Sequence, residues 1–359
     1  MGLEGSLVFA SGKSTDFDIW KLDLQSRELI QLTSGMGLND QPKWSPDGTK
    51  IAFISTGPDF IASLCVMNRD GSQKQRLTTN IHCQHPSWSA DGEKVVFVAN
   101  AENNDEFHIC VYDLKAATHQ ILLRRDGHET EPMLSRDGKK VLFASTDPDS
   151  QIPFSHRDTE IWQYDLATKL ATKVCRHGAR DYCPVYSPNE QKIAFVSHRN
   201  GRSEEDYLEK LRKIKQSLDT KSRASIDAAI KELLALEQDG DIHVVNADGT
   251  NLRQLTTNAG ADTDICWSPC GNYIAYSASP ADKGTCERIK VIEVETGSNV
   301  PLAYDRKPLM QEISADPDRY VNNHLFQYLI PNFIERPYMR RFISETFWGE
   351  ERQPDWANK

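Results

Sequence analysis

Carboxylates recur just ahead of short apolar segments along this chain. Asp40, Glu129, Glu131, Asp181, Asp262 and Asp264 each stand within a few residues of an aromatic or aliphatic anchor, His85 holds the matching place in another segment, and Glu312 lies in a last one. If the segments converge, their oxygens suit a hard divalent cation, or a Lys or Arg offered by a partner. The same residue types also satisfy the backbone amides of their own turns. His82 and His85 flank Cys83, but zinc needs a third ligand at defined spacing, and none is evident. The chain has no Gly-x-Ser-x-Gly elbow, no Walker loop and no Gly-x-Gly-x-x-Gly between a strand and a helix. The expectation is that no catalytic set is complete. A divalent cation at the converging mouth is the one cofactor left open.

The elements that must position these residues are repeats. Gln41-Pro-Lys-Trp-Ser-Pro-Asp-Gly-Thr-Lys-Ile-Ala-Phe-Ile-Ser55 is nearly copied at His85–Ala99, Glu131–Ser145, Cys183–Ser197 and Asp264–Ala278. In each copy a strand ends at an anchor, a Pro- and Gly-bearing turn reverses the chain, and an apolar strand follows. A third strand such as Asp18–Asp23 or Asp241–Val245 comes next, then a fourth such as Arg76–Thr78 or Gln254–Thr256. The anchors Trp44, Trp88, Leu134, Tyr186 and Trp267 are 44, 46, 52 and 81 residues apart. A four-stranded unit of that length is a propeller blade. One such unit cannot bury both faces, so the units must stack in a ring. In that ring the first strands line a central channel and the loops entering them form its mouth.

The chain starts out of phase. Ser6–Ser11 matches a second strand, Ile19–Asp23 a third and Glu28–Thr33 a fourth. The missing first strand is expected at Met310–Ser314, so that both termini share one blade and no sheet edge is left open. The fold expected is all-β: a six-bladed β-propeller over 1–314 with N-/C-terminal velcro closure.

Two stretches depart from the repeat. Within 203–238, Leu208, Leu211, Ile214 and Leu218 form one helical stripe and Ile226, Ala229, Ile230, Leu233 and Leu234 another, an αα-hairpin inserted between second and third strands. It either packs on its own blade or stands out as an arm for a partner. The tail, 315–359, carries nine aromatic residues among helical patterns broken near Pro331 and Pro337. Such apolar surface docks on the propeller itself or on another chain, the latter making a homo-oligomer.

These motifs resemble the TolB-like six-bladed β-propeller repeat family, whose signature is an aromatic-Ser-Pro-Asp-Gly turn followed by a Lys-Ile-Ala-Phe-like strand. The resemblance covers roughly residues 5 to 314; the fourth copy lacks the Asp-Gly and the fifth has Cys270 for the Asp. It implies a non-enzymatic scaffold that binds a protein partner at the channel mouth, the helical hairpin or the tail. The alternative is a channel-mouth hydrolase or lyase acting on a sugar or small ester, with a metal. Oligogalacturonate lyases are propellers with related repeats that hold a divalent metal with clustered histidines. Here only His85 and His128 stand at comparable positions.

Charge and composition narrow the partners. The 359 residues carry a formal net charge of -10 and include no apolar run long enough to cross a bilayer. A phosphate-backbone binder needs a basic stripe, so nucleic acid is not expected. Eight cysteines without CxxC spacing and no basic-then-apolar leader point to the cytoplasm, or to the periplasm if a leader has been removed.

Overall fold

In the computed structural model, residues 5–11, 17–35, 37–100, 107–125, 129–146, 159–175, 177–199, 201–219, 228, 231–232, 240–257, 260–278 and 288–300 are described. They fold into six antiparallel sheets, all within the unit Met1–Gln311. The first sheet has three strands, β1 (Ser6–Ser11), β2 (Asp18–Asp23) and β3 (Leu29–Gln31). The second holds β4 (Leu38–Trp44), β5 (Lys50–Thr56), β6 (Ala62–Asn68) and β7 (Gln75–Arg76). The third holds β8 (Cys83–Trp88), β9 (Lys94–Ala99), β10 (His108–Asp113) and β11 (Thr118–Leu123). The fourth comprises β12 (Thr130–Leu134), β13 (Lys140–Thr146), β14 (Thr159–Asp165) and β15 (Ala171–Lys173). The fifth comprises β16 (Asp181–Tyr186), β17 (Lys192–Ser197), β18 (Asp241–Asn246) and β19 (Arg253–Gln254). The sixth comprises β20 (Asp262–Trp267), β21 (Tyr273–Ala278), β22 (Arg288–Glu293) and β23 (Asn299–Val300). This is the six-bladed propeller that the repeat dictates. The closing strand at 310–314, nearly all of the second helix of the hairpin, and the tail lie outside the described residues.

The repeated turn explains its own sequence. Ser45 Oγ donates to Asp47 Oδ1 at 2.6 Å and accepts the Lys50 N–H at 2.9 Å, while Asp47 Oδ1 accepts the Thr49 N–H at 3.0 Å. Ser89 with Asp91, Ser135 with Asp137, and Ser187 with Asn189 repeat the staple. An acceptor side chain is thus needed two residues after the serine. Gly48, Gly92, Gly138 and Gly271 follow it at φ between 67 and 73°, the left-handed region that glycine enters without a Cβ clash.

Second and third strands form the core. Phe53, Phe97, Phe143 and Phe195 hold the same place in β5, β9, β13 and β17, and all are fully buried. Sheets are joined by specific contacts as well as apolar packing. Trp88 Nε1 donates to the Lys43 carbonyl of the preceding innermost strand at 3.0 Å, and Trp267 Nε1 to the Val185 carbonyl at 3.2 Å. At the outer rim, Gly249 (φ 85°) passes so close to the preceding sheet that a Cβ there would lie 2.3 Å from the Val174 carbonyl oxygen. Gly71 approaches the Leu32 carbonyl in the same way.

The helix α1 (Glu204–Asp219) runs between β17 and β18, as the first half of the hairpin was expected to. Tyr207 and Ile214 are buried, and Leu208 packs against Gly178 in the loop entering β16. His177 Nδ1 accepts the Ala179 N–H at 3.1 Å, which leaves the proton on Nε2 to donate to the Arg202 carbonyl at 3.1 Å. The described helix is therefore docked on its own blade.

Candidate functional site

The innermost strands share an irregularity that the sequence pattern does not announce. Each is bulged: the pairing slips between Asp40 and Lys43, Gln84 and Ser87, Thr130 and Met133, Tyr182 and Val185, and Thr263 and Cys266. Inside each bulge lies one left-handed residue: Gln41 (φ 53°), His85 (52°), Glu131 (54°), Cys183 (52°) and Asp264 (52°). Non-glycine residues pay about 1–3 kcal/mol for this conformation. Five in succession, at one position of the repeat, form a ring of hydrogen-bonding side chains.

Two pairs of neighbouring members are bonded side chain to backbone. Gln41 Oε1 accepts the His85 N–H at 2.6 Å, and Glu131 accepts both the Cys183 N–H and, at 3.1 Å, its thiol. Charges also reach between members of sheets that are not adjacent. The charges of Glu131, Lys43, Asp40 and Asp264 all act on His85, and those of Glu131, Asp264 and Lys43 on Cys183. Burial holds the His85 pKa below its ordinary value, against the pull of the surrounding carboxylates. Burial first, and then Glu131 and Asp264, push the Cys183 thiol well above the ordinary range. Two residues further along lies a second tier of Lys43, Ser87, Met133, Val185 and Cys266. There Lys43 and Asp264 both act on Cys266.

Of the residues singled out from sequence, His85, Glu131 and Asp264 belong to the ring. Asp40 flanks it, half-buried, and accepts the Gln41 N–H at 2.7 Å. Glu129, Asp181 and Asp262 lie two residues ahead of the ring and are fully buried, in line with Asn39 and Cys83. These positions form polar contacts within and between sheets. Asn39 donates to Asp18 at 3.4 Å, Cys83 meets Thr78 at 3.2 Å, and Arg199 Nη2 donates to Asp181 Oδ2 at 2.5 Å. Glu312 lies outside the described residues. Gln41 and Cys183 were missed, although both precede a proline in the near-copies, as His85 and Glu131 do. Among the described residues, no three His, Cys, Asp or Glu side chains are arranged to hold a metal ion.

Residues 4–155 match the family model described as the TolB beta propeller domain. The six-bladed propeller is thus TolB-like over residues 4–155. It is 27% identical over 192 residues to the Tol-Pal system protein TolB of Francisella tularensis, a match covering 53% of this chain and 42% of that protein. To the Tol-Pal system protein TolB of Helicobacter pylori it is 26% identical over 201 residues, covering 50% and 46%. The TolB-like chain thus matches less than half the length of these curated relatives. The crystal structure of TolB from Acinetobacter baumannii superposes with a TM-score of 0.52 at 16% identity, over 82% of this chain and 67% of that one. Hydrazine synthase from Kuenenia stuttgartiensis gives 0.60 at 14%, over 86% and 46%. Identities this low carry the fold and nothing finer.

Proposed function

We propose that this TolB-like propeller is a binding scaffold that receives a protein partner at its channel mouth. A basic side chain or amino group of the partner meets Asp264, Glu131 and Asp40 in the first tier. One observation carries this reading. Five consecutive innermost strands hold strained, non-glycine residues at one position of the repeat, and charges among them act on His85 and Cys183 from different sheets. Strain kept at five equivalent positions is the kind of feature that pre-organises a binding surface. The loops entering the innermost strands and the loop bearing α1 share one face of the ring, so the docked helix widens the surface offered to the partner. The relatives are Tol-Pal system proteins by name, which supports a role in protein assembly. It also favours the periplasmic setting over the cytoplasmic one. Among the described residues no helix is long and apolar enough to cross a membrane.

The hydrolase or lyase reading gains nothing from the ring. The Cys183 thiol donates to Glu131 and is held protonated, which is the wrong state for a nucleophile.

The test is affinity capture on immobilised full-length protein, comparing the natural chain with Glu131→Gln/Asp264→Asn. A protein retained by the natural chain and reduced at least about tenfold by the double variant is expected, since truncating one side of a desolvated charge pair costs a few kcal/mol. Equal recovery from both, with unchanged circular dichroism, would sink the proposal.

A further inference from the structure

Among the described residues, Leu38, Phe60, Leu170 and Leu252 are the large apolar side chains left exposed. Two of them stand at the mouth end of the second sheet. Leu38 opens β4 and pairs with Thr56, the last residue of β5. Phe60 lies in the short loop from β5 to β6, where its N–H donates to the Gly57 carbonyl at 3.0 Å. Gly37 passes so close to the start of this loop that a Cβ there would lie 2.1 Å from the Thr56 carbonyl oxygen. Leu38 and Phe60 thus border one corner of the rim, 40% and 82% exposed. Phe60 is also held in a conformation that its side chain disfavours. Its φ is 57°, and among the described left-handed residues other than glycine it alone carries a large apolar side chain. A bulky residue is a true outlier there, and a ring left in water gains little from burial to offset the strain. The loop nevertheless fixes it in place. Asp59 Oδ1 accepts the Ile61 N–H at 3.2 Å, and Asp59 Oδ2 accepts a hydrogen bond from Arg76 Nη1 of β7 at 2.8 Å. His82 Nδ1, at the entry to the third sheet, accepts the Ala62 N–H at 3.4 Å. A strained aromatic ring, braced from two sheets and open to solvent, has the character of a contact residue.

We propose that Leu38 and Phe60 form a subsite for one apolar side chain of the protein partner, two residues away from the basic side chain that Asp40 receives. Residues two apart in a strand share a side, so Asp40 follows Leu38 on the same side of β4, about 7 Å along. Gln41, the first member of the ring, comes next. The apolar corner therefore adjoins the acidic first tier through Asp40, and one extended segment can meet both. Alternate side chains of such a segment also share a side. The segment recognised then reads basic, any residue, apolar. This subsite rests on the proposed binding role and adds to it a second element, by which the mouth separates one basic segment from another.

The test uses the full-length chain and synthetic glycine heptapeptides, capped at both ends, that carry Lys alone or Lys and Leu two residues apart. Titration followed by nuclear magnetic resonance gives the affinity of each. The Lys/Leu peptide should bind the natural chain at least about fivefold more tightly than the Lys peptide, as a leucine side chain leaving water requires. Phe60→Asn should bring the two peptides to equal affinity. It should also leave the urea midpoint unchanged or raised, since Asn enters the left-handed region more readily than Phe. Glu131→Gln/Asp264→Asn should weaken both peptides and keep the ratio between them. Equal affinities of the two peptides for the natural chain would overturn the subsite. So would a Lys/Leu peptide that does not bind at millimolar concentration. A urea midpoint lowered by Phe60→Asn would show that the ring serves the fold, and would overturn it too. A Lys peptide bound equally by the natural chain and the double variant would overturn the binding role itself, whatever the ratio.

Discussion

Gln41 Oε1 accepts the backbone N–H of His85 at 2.6 Å, joining the left-handed residues of two successive innermost strands. The carboxylate of Glu131 does the same for Cys183. The bulge therefore has a structural use as well as a chemical one, because each such side chain satisfies an amide that the bulge removes from the ladder. Gln41→Ala should destabilise the propeller by about 1–3 kcal/mol, the cost of leaving that donor unpaired. Gln41→Glu keeps an acceptor and should recover most of it. Urea denaturation of the three proteins is the measurement, and equal midpoints for Gln41→Ala and the natural chain would refute the bond's importance.

The two kinds of glycine are separable. Gly138 is left-handed but has open space where a Cβ would stand. Gly138→Ala should cost about 1 kcal/mol, from backbone conformation alone. A Cβ on Gly249 would lie 2.3 Å from the Val174 carbonyl oxygen. Gly249→Ala should therefore cost more than about 2 kcal/mol, since conformational strain and a clash with rigid backbone add. Denaturation midpoints in the reverse order would contradict the close approach.

Protonation of His243 links stability to pH. The ring is buried against Phe195 at 5.7 Å, and burial lowers its pKa from 6.5 to about 4. The folded chain holds it neutral while the unfolded chain takes up a proton near pH 6.5. This contribution is complete above pH 6.5, shrinks as pH falls and is gone below about pH 4. Its full size is of the order of 3 kcal/mol. His243→Gln should flatten the stability profile between pH 6.5 and 4 and leave other intervals alone. Stability curves that stay parallel across that window would exclude the linkage.

Cysteine reactivity reports the site's electrostatics. Cys270 is exposed in the place where three other sheets have Asp, and the Ser268 hydroxyl and the Asn272 N–H lower its pKa. Cys183 is shifted the opposite way, by burial and by Glu131. With iodoacetamide near pH 7.5, mass spectrometry should find Cys270 alkylated first and Cys183 long after it, because only the thiolate reacts. Glu131→Gln should speed modification of Cys183. If Cys183 labels as fast as Cys270, the assignment of a protonated thiol is wrong.

The propeller itself was legible because its anchors and turns are local. Trp44, Trp88, Leu134, Tyr186 and Trp267 each end a strand, and the Ser-to-Asp staple closes within three residues. The sheets that follow from them are the ones observed. The ring was only partly legible. Mouth residues were inferred from chain position, and that reasoning does not separate a side chain aimed at the axis from one two places earlier. His85, Glu131 and Asp264 fall in the ring, while Glu129, Asp181 and Asp262 are buried ahead of it. The bulge decides between them. A residue before proline reads as extended backbone, yet Gln41, His85, Glu131 and Cys183 all precede proline and are left-handed. That preference gave no warning of the turn in direction.

The indole and glycine contacts between sheets point toward the N-terminus: Trp88 to Lys43, Trp267 to Val185, Gly71 to Leu32, Gly249 to Val174. On the ribosome each newly released blade therefore finds its seat already made, and assembly can keep pace with synthesis. The exception is the opening trio of strands, β1 to β3, for which no earlier blade exists to provide a seat.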